Sequence, residues 1–151
     1  MPTIYSYQKH IDNVITRELA LPVDATGQRL GTELATIGGI TYISLPDGAT
    51  LPTAQPSEIA ASIKPVTLDA ATHDAVVAAS PHCKLIAQRM QAQIRAQYSA
   101  DDEMFFARIS IGALMSQYTM GTGEAAEVAA YGTFVEGVRA WGRAQRAALG
   151  L

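Results

Sequence analysis

The chain has 151 residues, of which 48% are hydrophobic and 17% charged, and its formal net charge is −3. This apolar fraction excludes wholesale disorder, and the length suits one domain or two small ones. The negative charge provides no basic field for phosphate backbones, and the single cysteine, Cys83, excludes an internal disulfide and favours a reducing compartment.

Residues 1–24 allow two interpretations. Residues 3–7 alternate between apolar and polar side chains, which is typical of a short strand. Apolar residues at Ile11, Val14, Ile15 and Leu19 recur at helical spacing, so 12–19 could instead form a helix. Both interpretations remain open from the pattern alone.

The clearest local pattern is a β-hairpin. Two β-favouring runs, 30–37 and 40–45, flank Gly38 and Gly39. Glycine accepts the positive φ that a two-residue hairpin turn requires, so we predict an antiparallel pair of strands here. Residues 46–48 then close the second strand as a turn.

Four prolines between residues 46 and 66 oppose a long regular element. One or two helical turns at 57–63 are expected, with Ser57 as the N-cap. We therefore assign 1–50 to a β-rich region and 51–66 to a proline-rich connector, which is either an ordered wrap or a linker between two halves.

Residues 67–151 are predicted to be helical. Thr67 is expected to cap a helix over 68–79, and Ser80 with Pro81 is a typical start for a second helix that ends near Gln97. Residues 99–102 predict a capping box for a third helix. Residues 115–118 either extend that helix or begin a loop, and a last helix runs over about 124–149 from a start at Thr122 or Gly123. The predicted fold class is α+β, with an N-terminal hairpin region and a C-terminal antiparallel helical bundle.

No pattern of catalytic, cofactor-binding or metal-ligating residues is present. The acidic run 101–103 is explained by a helix N-terminus, where carboxylates accept free N–H groups. His73, His82 and Cys83 are metal-capable residue types, but they lack the second close pair of ligands that zinc sites use. Cys83 is expected to be a small core residue. We expect no cofactor, no metal and no enzymatic activity.

Residues of two helices form a candidate partner site. Phe105 and Phe106 diverge by roughly 100° on a helix, so one of them is expected to be exposed or covered by a partner. Arg139 and Arg143 belong to a row with Arg146 that is either a basic stripe for a partner or a complement to the helix dipole. Trp141 lies beside this row as either a core residue or an interface anchor. The candidate partner-binding residues are Phe105, Phe106, Arg139, Trp141 and Arg143.

Three stretches together resemble a known group of proteins. They are residues 40–52, residues 79–86, and residues 98–103 combined with 131–142. As a set they resemble small tail-associated proteins of bacteriophages and prophages that are grouped with tail fibre assembly proteins. The resemblance covers about two thirds of the chain and leaves 1–30 outside it.

The resemblance implies a tail fibre assembly chaperone that acts by protein–protein binding. Its expected partner is a tail fibre or another tail protein, with a second copy of the chain as a further option. The expected location is the cytoplasm of the bacterial host, with association to the virion as an open possibility. Nucleic acid and membrane are not expected partners. The alternatives are a structural tail or baseplate component and, from another class, a small ligand-binding domain or enzyme.

Overall fold

The computed structural model describes all residues 1–151, and it confirms the α+β class. The strands are β1 (Thr3–Gln8), β2 (Thr32–Ile37), β3 (Ile40–Leu45) and β4 (Lys64–Pro65). The helices are α1 (Ser57–Ala60), α2 (Ala70–Ala79), α3 (Pro81–Gln97), α4 (Ala100–Leu114) and α5 (Thr122–Ala148). No helix has the length and apolar content needed to cross a membrane.

The chain forms two compact units whose limits differ from the three regions assigned from the sequence. The sheet unit comprises 1–85 and 145–151, and the helical unit comprises 86–144. The proline-rich segment 51–66 therefore lies inside the sheet unit, and the boundaries between the units fall within α3 and within α5.

The predicted hairpin is present, with β2 beginning at Thr32 rather than at residue 30. Gly38 has φ +56° and Gly39 has φ +82°, so both turn residues occupy the left-handed region. Two positive φ values are the requirement of a type I′ turn, whose twist matches that of the flanking strands. All strand pairs are antiparallel, in the order β2-β3-β1-β4.

A bulge in β2 allows two neighbouring residues to enter one core. The register shifts between Glu33 and Ala35, and Leu34 and Ala35 are both buried beside Ile4 and Val76. A regular strand would direct neighbours to opposite faces, whereas a bulge sets two residues against one. A second buried cluster holds Tyr7, Leu19, Ile43 and Ile59. Since Ile4 and Tyr7 lie on opposite faces of β1, the sheet is covered on both sides.

The first of the two interpretations for residues 1–24 is confirmed, because 3–8 is a strand, and a helix over 12–19 is not present. The Asp12 carboxylate accepts the N–H groups of Val14 at 2.7 Å and Ile15 at 2.6 Å, which fixes a turn in place of a helical repeat. The Arg17 N–H then donates to the Lys9 carbonyl at 2.9 Å. The helical spacing of the apolar residues in 11–19 therefore does not reflect a helix, and Leu19 is buried from a loop.

The segment 51–66 is an ordered wrap. Gln55 holds it against the loop before the hairpin: its Oε1 accepts the Ala20 N–H at 2.9 Å, and its Nε2 donates to the Ala20 carbonyl at 3.0 Å. Ile59 in α1 is fully buried. The prediction that Ser57 is the N-cap of α1 was wrong, because Pro56 holds that position and no side chain caps the helix.

Helix starts follow local hydrogen bonding. The prediction that Thr67 caps α2 was wrong, since Asp69 is the N-cap and its carboxylate accepts the Thr72 N–H at 2.7 Å. The predicted capping box of α4 is confirmed: the Ser99 hydroxyl accepts the Asp102 N–H at 3.0 Å, and Asp102 accepts the Ser99 N–H at 2.7 Å. Residues 115–118 form a loop, not a helical extension.

Candidate partner-binding surface

An aromatic cluster joins α4, α5 and the loop between α3 and α4 within the helical unit. The Tyr98 ring lies 5.0 Å from Tyr131, 5.7 Å from Phe134 and 6.0 Å from Phe106, between centroids. Phe106 is 8% exposed. In the same unit Met90 lies against Gly142, whereas Tyr98, just after α3, lies against Tyr131. Residue numbers therefore rise along α3 while they fall along α5, so these two helices run antiparallel.

A polar network borders this cluster. Glu103 accepts a hydrogen bond from the Tyr131 hydroxyl at 2.7 Å and pairs with Arg95. The Tyr131 hydrogen bond, together with the Arg95 guanidinium, lowers the pKa of Glu103 below its ordinary value. The same hydrogen bond raises the pKa of Tyr131. Because Glu103 is on α4, Tyr131 on α5 and Arg95 on α3, the network ties three helices.

The two adjacent phenylalanines differ in exposure. Phe106 is buried in the aromatic cluster, whereas Phe105 is half-buried. The Arg108 guanidinium carbon lies 5.7 Å from the centre of the Phe105 ring, in cation–π position. Phe105 therefore remains partly available to a partner, and Phe106 serves the interior.

The candidate partner-binding residues on α5, Arg139, Trp141 and Arg143, differ in their surroundings. Arg143 Nη2 pairs with Glu136 Oε1 at 2.5 Å, and this pairing lowers the pKa of Glu136. Arg139 is exposed without an ion pair. Trp141 is half-buried, and the next residue, Gly142, is buried. Of the predicted row of three arginines, Arg139 and the half-buried Arg146 therefore have no ion pair, and Trp141 beside them is partly accessible.

Sequence reasoning missed the largest group of exposed apolar side chains in the helical unit. It lies on α4 and the loop after it, and we call it the α4 outer surface. Its members, with exposed fractions, are Met104 (72%), Ile111 (57%), Leu114 (86%), Met115 (65%) and Tyr118 (40%). The detectable pattern was the spacing of Met104, Arg108, Ile111 and Met115 by four, three and four residues, which forms a second helical stripe besides the one through Phe106.

The loop that ends this surface is held in place. The Gly112 carbonyl accepts the Gln117 and Tyr118 N–H groups at 2.8 and 3.1 Å. The Tyr118 hydroxyl donates to Glu124 at 2.7 Å, at the start of α5. The apolar side chains at the end of α4 are therefore displayed on an ordered backbone.

The metal-capable residues named from the sequence do not converge. His73 lies beside Asp74, His82 is exposed and Cys83 is buried. No group of three His, Cys, Asp or Glu residues could hold a metal ion. A surface depression of about 660 Å³ beside β1 has His73 as its only ionisable side chain. It does not present several converging polar groups.

Comparison of the chain with protein-family models, with curated proteins and with solved structures found no match.

Proposed function

We propose that this protein is a phage tail accessory protein, and specifically a tail fibre assembly chaperone that works by binding another protein without catalysis. The observation that carries the proposal is the α4 outer surface. Its apolar side chains, with Leu114 86% and Met104 72% exposed, are held on an ordered helix and loop. Several exposed apolar side chains on one helix and the loop after it are typical of protein–protein contact sites.

A helical surface is a better binding site in this protein than a sheet edge. The edge strand β4 has only two residues and contains Pro65, which cannot donate to a ladder. The other edge strand, β2, carries the bulge between Glu33 and Ala35. Short strands, prolines and bulges are features that protect sheet edges from strand addition. The partner is therefore expected on the helical unit.

The proposed partner is an incompletely assembled tail fibre, and the proposed place of action is the cytoplasm of the bacterial host. Fibre subunits expose apolar surface until they have assembled, and an apolar helix can cover such surface reversibly. Phe105 on α4, and Trp141 and Arg139 on α5, are aromatic and cationic residues of the kind that dominates binding energies at interfaces. The resemblance of residues 40–52, 79–86, 98–103 and 131–142 to tail fibre assembly proteins favours this partner over others.

Co-expression with the C-terminal region of a tail fibre from the same phage or prophage tests the proposal. We expect the two proteins to co-purify and the fibre to be less soluble alone. Leu114→Lys should reduce retention of the fibre, because it places a charge in the apolar contact. Val14→Lys is the matched control, since Val14 is 88% exposed and lies in the sheet unit.

Failure to retain any fibre, with fibre solubility unchanged, would show that the chaperone proposal is wrong. Recovery of the protein in stoichiometric amounts from purified phage particles would support a structural tail or baseplate component instead.

A further inference from the structure

We propose that the first half of α4 is a self-complementary contact through which two copies of this chain pair in antiparallel orientation. The contact consists of Asp101, Met104, Phe105 and Arg108. This inference does not depend on the tail fibre as partner, because it rests only on the arrangement of these four side chains. The pair covers Met104 and Phe105, so a fibre bound to the dimer would contact the second half of α4, where Ile111 and Leu114 are exposed.

The four residues line one depression, and Met104 among them is largely exposed. They line a shallow depression of about 360 Å³ on the surface of the helical unit. Met104 is 72% exposed, whereas Phe105 is half-buried. A methionine side chain is flexible and fills irregular apolar space well. An exposed and flexible Met104 in the lining of a shallow depression suits an isologous contact, because each copy supplies both the side chain and the depression that receives it.

The charges at the two ends of the depression specify a second copy as its occupant. Asp101 and Arg108 are seven residues apart, so they lie on one side of α4 with about 10 Å of helix rise between them. Neither takes part in an ion pair of the chain, although the Arg108 guanidinium lies over the Phe105 ring. The contact therefore has one unpaired negative end, one unpaired positive end and an apolar middle.

Only one orientation of two such helices satisfies these charges. If the two copies ran parallel about a twofold axis, Asp101 would face the second copy's Asp101, and Arg108 would face Arg108. If they run antiparallel with the axis at Met104 and Phe105, Asp101 of each copy faces Arg108 of the other. Opposite charges across an interface set its register, whereas facing like charges are strongly unfavourable. The antiparallel pair thus forms two ion pairs around an apolar centre.

Charge exchange tests the pairing, with sedimentation equilibrium as the readout over a wide range of protein concentrations. The wild-type protein should self-associate reversibly. Asp101→Arg and Arg108→Asp should each weaken self-association roughly tenfold or more. In either variant residues 101 and 108 carry the same charge, so both ion pairs of the dimer are replaced by repulsive contacts. An equimolar mixture of these two single variants should form a mixed dimer, since both of its ion pairs are then satisfied. The double variant D101R/R108D should pair like the wild type.

Two controls keep the test independent of folding. Arg89→Asp changes an exposed α3 residue that has no ion pair, and it should leave self-association unchanged. Met104→Asp should abolish pairing while Met104→Leu retains it, with circular dichroism confirming that both are folded.

A wild-type protein that stays monomeric at every concentration would overturn the proposal, as would a mixture of the single variants that fails to form the mixed dimer. A monomer whose fibre binding is lost in Met104→Asp would assign this surface to the fibre instead. Self-association that follows the charge exchange, in a protein that retains no fibre, would support the pairing and count only against the chaperone function.

Discussion

The Tyr131 hydroxyl donates to the Glu103 carboxylate at 2.7 Å and so joins α5 to α4. The two residues are 28 positions apart, and Glu103 also pairs with Arg95 of α3. Glu103 is 25% exposed at its side chain, so the bond is partly shielded from water. A hydrogen bond to a charged group contributes more to stability than one between neutral groups.

Tyr131→Phe should lower the thermal stability of the helical unit at neutral pH, by about 1 kcal/mol, because the ring stays while the donor is lost. The folded protein holds the pKa of Glu103 below its ordinary value of 4.5. A depressed folded pKa means that the contribution is present above about 4.5 and is lost as the pH falls through the folded value. The stability difference between wild type and variant should therefore shrink in acid. A difference that is unchanged from pH 7 to pH 3 would contradict this assignment.

The hairpin turn offers a test of backbone conformation without a steric contribution. A β-carbon at Gly39 would meet no atom within 4 Å, but φ there is +82°. Gly39→Val should destabilise the sheet unit by about 1 kcal/mol or more, because a β-branched residue is strained at positive φ. Gly38→Asn is the control, since asparagine tolerates this region. Thermal melting of the two variants compares them, and equal stability of Gly39→Val and wild type would contradict the turn type.

Glycines in the helices should respond to alanine in opposite directions. Gly132 and Gly137 lie on α5 with open space around a β-carbon, so alanine there should stabilise the protein by about 0.5–1 kcal/mol through helix propensity. Gly112 differs, because a β-carbon would come within 2.8 Å of the Tyr118 Cβ. Gly112→Ala should therefore destabilise the loop after α4. Chemical denaturation measures both, and a stabilising Gly112→Ala would show that the loop is not held against that glycine.

The Gln55 side chain pairs with the backbone of the loop before the hairpin, as a neighbouring strand would. Its amide satisfies both the N–H and the carbonyl of Ala20 and also donates to the Pro52 carbonyl at 2.9 Å. Gln55→Leu should destabilise the sheet unit by about 1–3 kcal/mol, because these partly buried backbone groups lose their partner. Gln28→Leu, at an exposed position, is a control for the substitution itself. Hydrogen exchange at the Ala20 amide should accelerate in the first variant and not in the second.

The sequence predicts elements that depend on local chemistry better than those that depend on distant partners. The hairpin turn follows from Gly38 and Gly39, and the α4 start follows from Ser99 and Asp102, because the determining groups lie within a few residues. The strand β4 was not predictable in this way, since Lys64 and Pro65 join the sheet only through β1.

The candidate site shows the same division. Helical spacing separated Phe105 from Phe106, but it could not show that Arg143 is neutralised by Glu136 or that Phe106 enters an aromatic cluster. The α4 outer surface was missed because only Phe105 and Phe106 were considered as candidate partner residues on this helix. Exposure of Ile111 and Leu114 depends on which face of α4 meets the neighbouring helices, and apolar residues occur on more than one face of α4.

Substitution of Trp141 can show whether this residue is an interface anchor or part of the core. The side chain is half-buried, so truncation removes only part of the packing of a fully buried tryptophan. We expect Trp141→Ala to remain folded, with a helix content by circular dichroism like that of the wild type, and to lose retention of a co-expressed tail fibre. An aromatic anchor at an interface contributes roughly 2 kcal/mol or more, which would reduce affinity at least about thirtyfold. Trp141→Phe should restore part of the binding, and Arg139→Ala should weaken it less. If Trp141→Ala unfolds the helical unit, the tryptophan belongs to the core, and the fibre contact must be sought at Phe105 and Leu114.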